Sequence, residues 1–233
     1  MTQAVANDKP VKENDLIFAP ETEQYTKFHL DRKDLNVSPG NQFHQWFQEA
    51  KANKVALPES TIFSTARLPS GRVSSRTVLL KELDKEGNLV IYSNWGTSKK
   101  AKDIESNQYA SLTFFWKELE RQVRIEGITE FLTNEESQIY FDTRPRASRI
   151  GAWASPQSTP LQNRQELEDK VKEVENRFEG VDKIPCPPFW GGLKIKPLEW
   201  EFFQGRTNRT HDRFSYTRES VDDNSWTIQR LSS

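Results

Sequence analysis

The 233-residue sequence is short of the features that announce many protein classes. Its single cysteine, Cys186, cannot form an internal disulfide, and no Cys/His spacing builds a structural zinc site. A lone thiol suits a reducing compartment. No apolar run is long enough to cross a bilayer. The first residues carry Asp8, Glu13 and Asp15 with no hydrophobic stretch, and read as neither signal nor transit peptide. The expectation is a soluble, cytoplasmic protein. Charge of one sign is also lacking: 33 Lys and Arg stand against 34 Asp and Glu, a formal net charge of −1. A general polyanion binder is usually more basic, so any anion site should be local.

Familiar catalytic plans are missing too. Three histidines (His29, His44, His211) and no nucleophile-elbow serine give a hydrolytic triad little support. No G-x-G-x-x-G follows a strand, and no Walker spacing is present. Chemistry should therefore come from a bound cofactor that the protein positions. Aromatics, by contrast, are plentiful at 11%, with seven Trp and fourteen Phe, although mean hydropathy is only −0.82. So many rings need a core, an oligomer interface or a flat cofactor to pack on.

Residues 1–20 are polar and aperiodic, and read as a disordered arm preceding a single domain over 21–233. Ser38-Pro39 opens an amphipathic helix carrying Phe43, Trp46, Phe47 and Ala50 at i, i+3, i+4 and i+7. Segments 60–68, 72–81 and 88–94 then alternate as an antiparallel meander. A short helix over 99–107 and strands over 109–116 and 121–132 follow. Thr133-Asn-Glu-Glu136 is a capping box for a helix to about Thr143, ended near Pro145. Helices over 149–155 and 161–178 precede strands over 192–204, 212–218 and 225–231. Strands dominate without βαβ alternation, so the fold class is mainly β: an antiparallel barrel with peripheral helices.

Four groups of residues carry candidate chemistry. Arg209, His211 and Arg213 would share one face of an extended segment, with Asp212 on the other, and three cations together repel unless an anion joins them. A charged, solvated strand edge explains the same pattern. Arg76 and Lys81 are an odd number of residues apart, so they serve one site only if a bulge intervenes or the site wraps round the strand end. Otherwise they are surface cations or serve two anions. Ser93 to Lys100 pairs a Gly/Ser/Thr turn with two lysines at a helix start, a plausible phosphate cradle. Tyr140 and Arg144 share a helix face and, with Ser148, suit a phosphate monoester; a helix-end Arg favoured by the macrodipole is the plainer reading.

These segments together resemble the pyridoxamine/pyridoxine 5'-phosphate oxidase family, and its fungal members most. The resemblance rests on Arg76-Thr-Val-Leu-Leu-Lys81, Tyr92-Ser-Asn to Lys100-Ala101, Glu120-Arg-Gln-Val-Arg124 and Tyr140-Phe-Asp-Thr-Arg-Pro-Arg146. It continues through Ile150-Gly-Ala-Trp-Ala-Ser155, Phe189-Trp-Gly-Gly192 and Arg209-Thr-His-Asp-Arg-Phe214, in the family's order. It implies an FMN-binding split barrel acting as a homodimer, with two flavins at the subunit interface. It assigns the flavin to Arg76, Thr77, Val78, Leu79, Leu80, Lys81, Tyr92, Ser93, Lys99, Lys100, Gln122, Gln157, Ser158, Phe203 and Arg213. It assigns the substrate to Lys81, Tyr140, Arg144 and Ser148 at its phosphate, Arg209 and His211 over its ring, and Tyr25. The implied reaction oxidises pyridoxamine or pyridoxine 5'-phosphate to the aldehyde with molecular oxygen, releasing hydrogen peroxide, and ammonia from the amine. Arg209 and His211 are the expected catalytic residues.

Two positions depart from the family's pattern. Phe203 stands where Trp is usual, and Thr210 where Leu is usual. Both are expected to weaken binding without removing a charged ligand. A non-catalytic FMN or pyridoxal phosphate carrier would share every anion ligand. A nucleic-acid-binding barrel would use the same cations and rings, against the near-zero net charge. The family reading needs no metal, membrane or nucleic acid.

Overall fold

Aromatic residues on one helix organise the interior. In the computed structural model, which describes residues 24–233, Ser38 caps α1 (Pro39–Ala52) by accepting the Asn41 N–H at 3.4 Å. Phe43, Trp46 and Ala50 are buried, and Phe47 packs half-buried beside them. The Phe43 ring lies 5.0 Å from Phe114 and 5.5 Å from Trp200, and Trp46 meets Phe202 edge-on at 5.3 Å. Each such ring contributes roughly 1.5–3 kcal/mol by leaving water, so packing rather than helix propensity fixes α1.

The helix plugs a curled antiparallel sheet of β1 (Ser60–Arg67), β2 (Arg72–Leu79), β3 (Glu82–Leu83), β4 (Leu89–Asn94), β5 (Tyr109–Trp116), β6 (Arg121–Phe131), β7 (Trp190–Gln204), β8 (Asp212–Thr217) and β9 (Thr227–Leu231). The order is β2-β1-β5-β6-β7-β4-β3. Because β2 and β3 lie at opposite ends of that order yet follow one another in the chain, the sheet must curl until its edges meet. β7 divides its free side: Trp190–Ile195 pairs with β4, and Glu199–Gln204 pairs with β8. The curled antiparallel sheet with peripheral helices is the expected split barrel. Gly127 marks a register shift in β6, where a Cβ would sit 2.2 Å from the Lys196 carbonyl oxygen.

Alternation sorts the strand residues. Phe63, Leu112, Phe114, Val123 and Ile125 point inward and are buried, while Ile62, Val73, Tyr109 and Phe115 stand exposed on the outward face. A second core of Phe141, Ile150, Phe178, Ile184, Cys186 and Trp190 lies under α3 (Asn134–Thr143), α4 (Arg146–Ala154) and α5 (Arg164–Arg177). The Thr133 capping box forms in full. α2 spans Lys99–Ser106.

The predicted arm over 1–20 lies outside the described residues. Most predicted boundaries move by one to three residues. α4 starts at Arg146 rather than 149, directly after Pro145, and β2 stops at Leu79 rather than 81. Among the described residues no helix is long and apolar enough to cross a membrane.

Candidate functional site

The site begins where β2 ends. Leu80 N–H still bonds toward β1, to the Glu59 carbonyl at 2.9 Å, whereas Lys81 N–H bonds to Val90 of β4, also at 2.9 Å. The chain thus changes partners at this corner. Arg76 and Lys81 consequently both line one cavity of about 670 Å³ despite their odd spacing. It is the strand-end arrangement, and β2 pairs with β1 alone, so its other edge opens onto the cavity. Thr77, Val78 and Leu79 line it as well. Leu80 does not; it is 7% exposed and belongs to the core.

One end of the cavity is built around Arg76 and Lys100. Arg76 donates from Nη1 to the Phe63 carbonyl and Thr65 Oγ1, both at 2.9 Å, and from Nη2 to Ser74 Oγ at 2.6 Å. Lys100 lies in the first turn of α2, and Ser98 caps that helix. Its Nζ donates to Gln157 Oε1 at 2.6 Å and sits 5.4 Å from the Trp95 ring. Burial, then repulsion from Arg76, pushes the Lys100 ammonium down to about 8. Burial also lowers Arg76. Ser93 Oγ donates to Gln157 Oε1 at 3.3 Å, and Thr97 Oγ1 to the Gln157 carbonyl at 2.8 Å. Lys99 and Ser158 adjoin without lining the cavity: Lys99 N–H donates to Ser158 Oγ at 3.3 Å, and the Lys99 side chain faces solvent.

At the other end Tyr92 stacks on Tyr140 at 4.1 Å and on Trp190 at 5.5 Å. Tyr92 Oη donates to Glu82 Oε1 at 2.5 Å, and its own pKa is raised by burial and then by that bond. Arg144 follows α3 and lies 4.6 Å over the Trp190 ring. Its Nη1 is buried without a hydrogen-bond partner, and burial lowers its pKa. Ser148, in the first turn of α4, lines the same end. Among the described residues the cavity wall holds four cations (Arg76, Lys81, Lys100, Arg144) and no carboxylate.

The remaining predicted residues gather elsewhere. Gln122 of β6, Phe203 of β7 and Arg213 of β8 are direct cross-strand partners on the outward face. Phe203 lies 4.7 Å from the His211 ring, and Tyr25 lies 5.8 Å from it on the backbone of Gly205. A Cβ at position 205 would stand 2.2 Å from the Tyr25 ring. His211 Nδ1 accepts the Arg206 N–H at 3.1 Å. Burial, then Arg209 and Arg213, lowers the His211 pKa, so the ring is neutral near pH 7 with its proton on Nε2.

The shared extended face expected for Arg209, His211 and Arg213 is not formed. Thr207–Arg209 is a 3-10 turn, and Asn208 and Arg209 take left-handed φ values of 56° and 58°. Thr210, the family departure, closes this turn by donating from its hydroxyl to the Thr207 carbonyl at 2.9 Å. Arg213 needs no external anion: its Nε donates to Glu201, 4% exposed, at 2.8 Å, and its Nη1 to the Ser232 carbonyl at 2.7 Å. Asp212 instead holds Arg230 at 2.9 Å and accepts the Leu30 N–H at 3.1 Å. Sequence reasoning missed Asn94, Gly151, Ala152, Ser155 and Trp190 on the cavity wall, although all five fall inside the motifs quoted for the resemblance. It also missed the carboxylates Asp103 and Glu201 behind the arginines, for which no local signal existed.

Comparison with known proteins matches residues 47–178 to the pyridoxamine 5'-phosphate oxidase family and residues 190–233 to the pyridoxine 5'-phosphate oxidase C-terminal dimerisation region. The pyridoxamine 5'-phosphate oxidase of Saccharomyces cerevisiae is 54% identical over 230 residues, covering 98% of each chain. The probable pyridoxamine 5'-phosphate oxidase of Schizosaccharomyces pombe is 57% identical over 213 residues, 89% of this chain and 91% of the relative. Among solved structures, PhzG from Burkholderia lata 383 in complex with tetrahydrophenazine-1-carboxylic acid superposes with a TM-score of 0.81 at 26% identity, covering 91% of this chain and all of that one.

Proposed function

The chain belongs to the pyridoxamine 5'-phosphate oxidase family and is an oxidoreductase, and from that premise we propose that it is an FMN-dependent homodimer oxidising pyridoxamine or pyridoxine 5'-phosphate to pyridoxal 5'-phosphate. The observation that carries the reading is the cavity with four cations and, among the described residues, no carboxylate. Lys100 and the Nη1 end of Arg144 are buried and meet no carboxylate among the described residues, which is costly unless an anion joins them. The wall suits two phosphate monoesters. Arg76 and Lys100, near the start of α2, would hold the flavin's, and Arg144, Lys81, Tyr140 and Ser148 the substrate's. The buried, unpartnered Arg144 Nη1 is a donor awaiting an acceptor.

Held by these residues, FMN would supply the acceptor for a hydride equivalent from the substrate's 4'-carbon, with molecular oxygen as the final two-electron acceptor and hydrogen peroxide as its product. The chain's own groups bind and orient. Tyr92 and Trp190 wall the cavity with stacked rings, and Lys81 at the β2 corner would serve the substrate's phosphate. Arg209 and His211 would face the substrate ring, His211 through its Nε2–H and Arg209 through charge.

We infer that a second copy brings these groups together. None of Gln122, Phe203, Arg209, His211 and Arg213 lines the cavity that opens along β2 of its own chain, and Gln122, Phe203 and Arg213 stand on the outward face of β6, β7 and β8. The outward face between β2 and β6 exposes Ile62, Tyr109 and Phe115. A second copy on that face would present its Gln122, Phe203, Arg209, His211 and Arg213 to the cavity of the first, and two-fold symmetry makes two such sites. The match of residues 190–233 to a dimerisation region supports this arrangement.

The test is anaerobic addition of pyridoxamine 5'-phosphate to FMN-loaded protein. Loss of the oxidised flavin's visible band, with one peroxide per flavin on readmitting oxygen, is the expected result. A protein that keeps FMN but shows neither change contradicts the enzyme and leaves the carrier reading.

A further inference from the structure

Asp103 is 1% exposed, lies on α2 one turn beyond Lys100, and does not line the cavity. Its Oδ2 accepts from Thr65 Oγ1 of β1 at 2.7 Å and from Ser74 Oγ of β2 at 3.0 Å, and stands 3.8 Å from Arg76 Nη2. The two hydroxyls are the same ones that accept from Arg76 Nη1 and Nη2. A hydroxyl has one hydrogen to give. Because Thr65 and Ser74 each give theirs to Asp103, their lone pairs turn toward the guanidinium. With the Phe63 carbonyl as third acceptor, both Nη1 hydrogens and one Nη2 hydrogen are taken up among the described residues. That leaves Nε–H and the second Nη2–H of Arg76 for a ligand, two donors suited to phosphate oxygens.

We infer that Asp103 is a positioning residue for phosphate binding: through Thr65 and Ser74 it holds Arg76 with two donors free, and it ties the helix carrying Lys100 to the strand carrying Arg76. This rests on the reading that Arg76 holds the flavin phosphate. The alternative, a buried charge with no such role, predicts the opposite sign. Deleting a carboxylate near an anion site should tighten anion binding by simple electrostatics, whereas deleting a positioning residue should loosen it.

The experiment measures dissociation constants of FMN and of riboflavin, which lacks the phosphate, by quenching of flavin fluorescence. The proteins are the full-length wild type and the variants Asp103→Ala, Asp103→Asn, Ser74→Ala and Arg76→Met. Asp103→Ala is expected to weaken FMN about tenfold, with Asp103→Asn and Ser74→Ala weakening it less and riboflavin unchanged in all. Adding Asp103→Ala to Arg76→Met should cost nothing further, since the positioned group is already gone. Ser74 is only half-buried, so its variant tests the relay even if Asp103 variants do not fold. FMN binding unchanged or tighter in the Asp103 variants, or in Ser74→Ala where those do not fold, overturns the inference, as does an equal loss for riboflavin. If Arg76→Met itself leaves FMN affinity intact, the phosphate reading of Arg76 falls and takes this inference with it. A loss in Arg76→Met without one in Asp103→Ala removes only the role of Asp103.

Discussion

Around the cavity, Lys81, Lys100 and Arg144 meet no carboxylate among the described residues, whereas on β6, β8 and β9 Arg124, Arg213 and Arg230 are each held by one or more. The pKa directions follow. Burial lowers Lys100 and Arg144, while hydrogen bonds to Glu201 and Asp212 raise Arg213 and Arg230. Arg76 falls between, lowered by burial and partly offset by Asp103. The difference separates two uses of a cation. One that pays desolvation without a partner is kept for a ligand's charge; one bound to a carboxylate is kept for its direction.

The largest effect is expected where a cation is unpaired and buried. Arg144→Met preserves bulk but removes a donor pair for a phosphate, and should raise the KM for pyridoxine 5'-phosphate about 100-fold while leaving the FMN dissociation constant within about twofold. Steady-state kinetics beside a flavin titration measures both. Equal losses of FMN and substrate would erase the division of the cavity into two phosphate ends.

A smaller effect comes from titration. Lys100 must be protonated to hold a phosphate, and its pKa without ligand is about 8. FMN affinity should therefore be flat between about pH 7 and 8, above the second ionisation of the phosphate, and fall up to about tenfold per pH unit above it, because binding must then take up a proton. Lys100→Arg, charged throughout, should flatten the profile. A wild-type profile flat to pH 10, together with a Lys100→Met variant that binds FMN as tightly as wild type, would show that Lys100 carries no phosphate.

The helix α1 was legible because Phe43, Trp46, Phe47 and Ala50 fall on one stripe behind a Ser-Pro start, and α3 because Thr133 and Glu136 form a local cap. Such signals lie within a few residues of one another. The Arg209–Arg213 geometry was not legible, since strand parity assumes extension and two left-handed residues break it. Arg76 and Lys81 were legible only as an ambiguity that the β2 corner resolves. Asp103 and Glu201 were invisible because their arginines lie on other elements, brought close only by packing. Cations announced themselves by motif; what holds or fails to hold them did not.

The central claim is that each site takes its cavity from one copy and Arg209 with His211 from the other. A hybrid dimer of Arg144→Met and Arg209→Met chains, separated by two affinity tags, tests it most directly. One of its two sites would combine an intact cavity with an intact Arg209, so the hybrid should recover about half the wild-type turnover although both parent homodimers are impaired. A hybrid no more active than its parents would mean that cavity and Arg209 act within one chain, and would contradict the account.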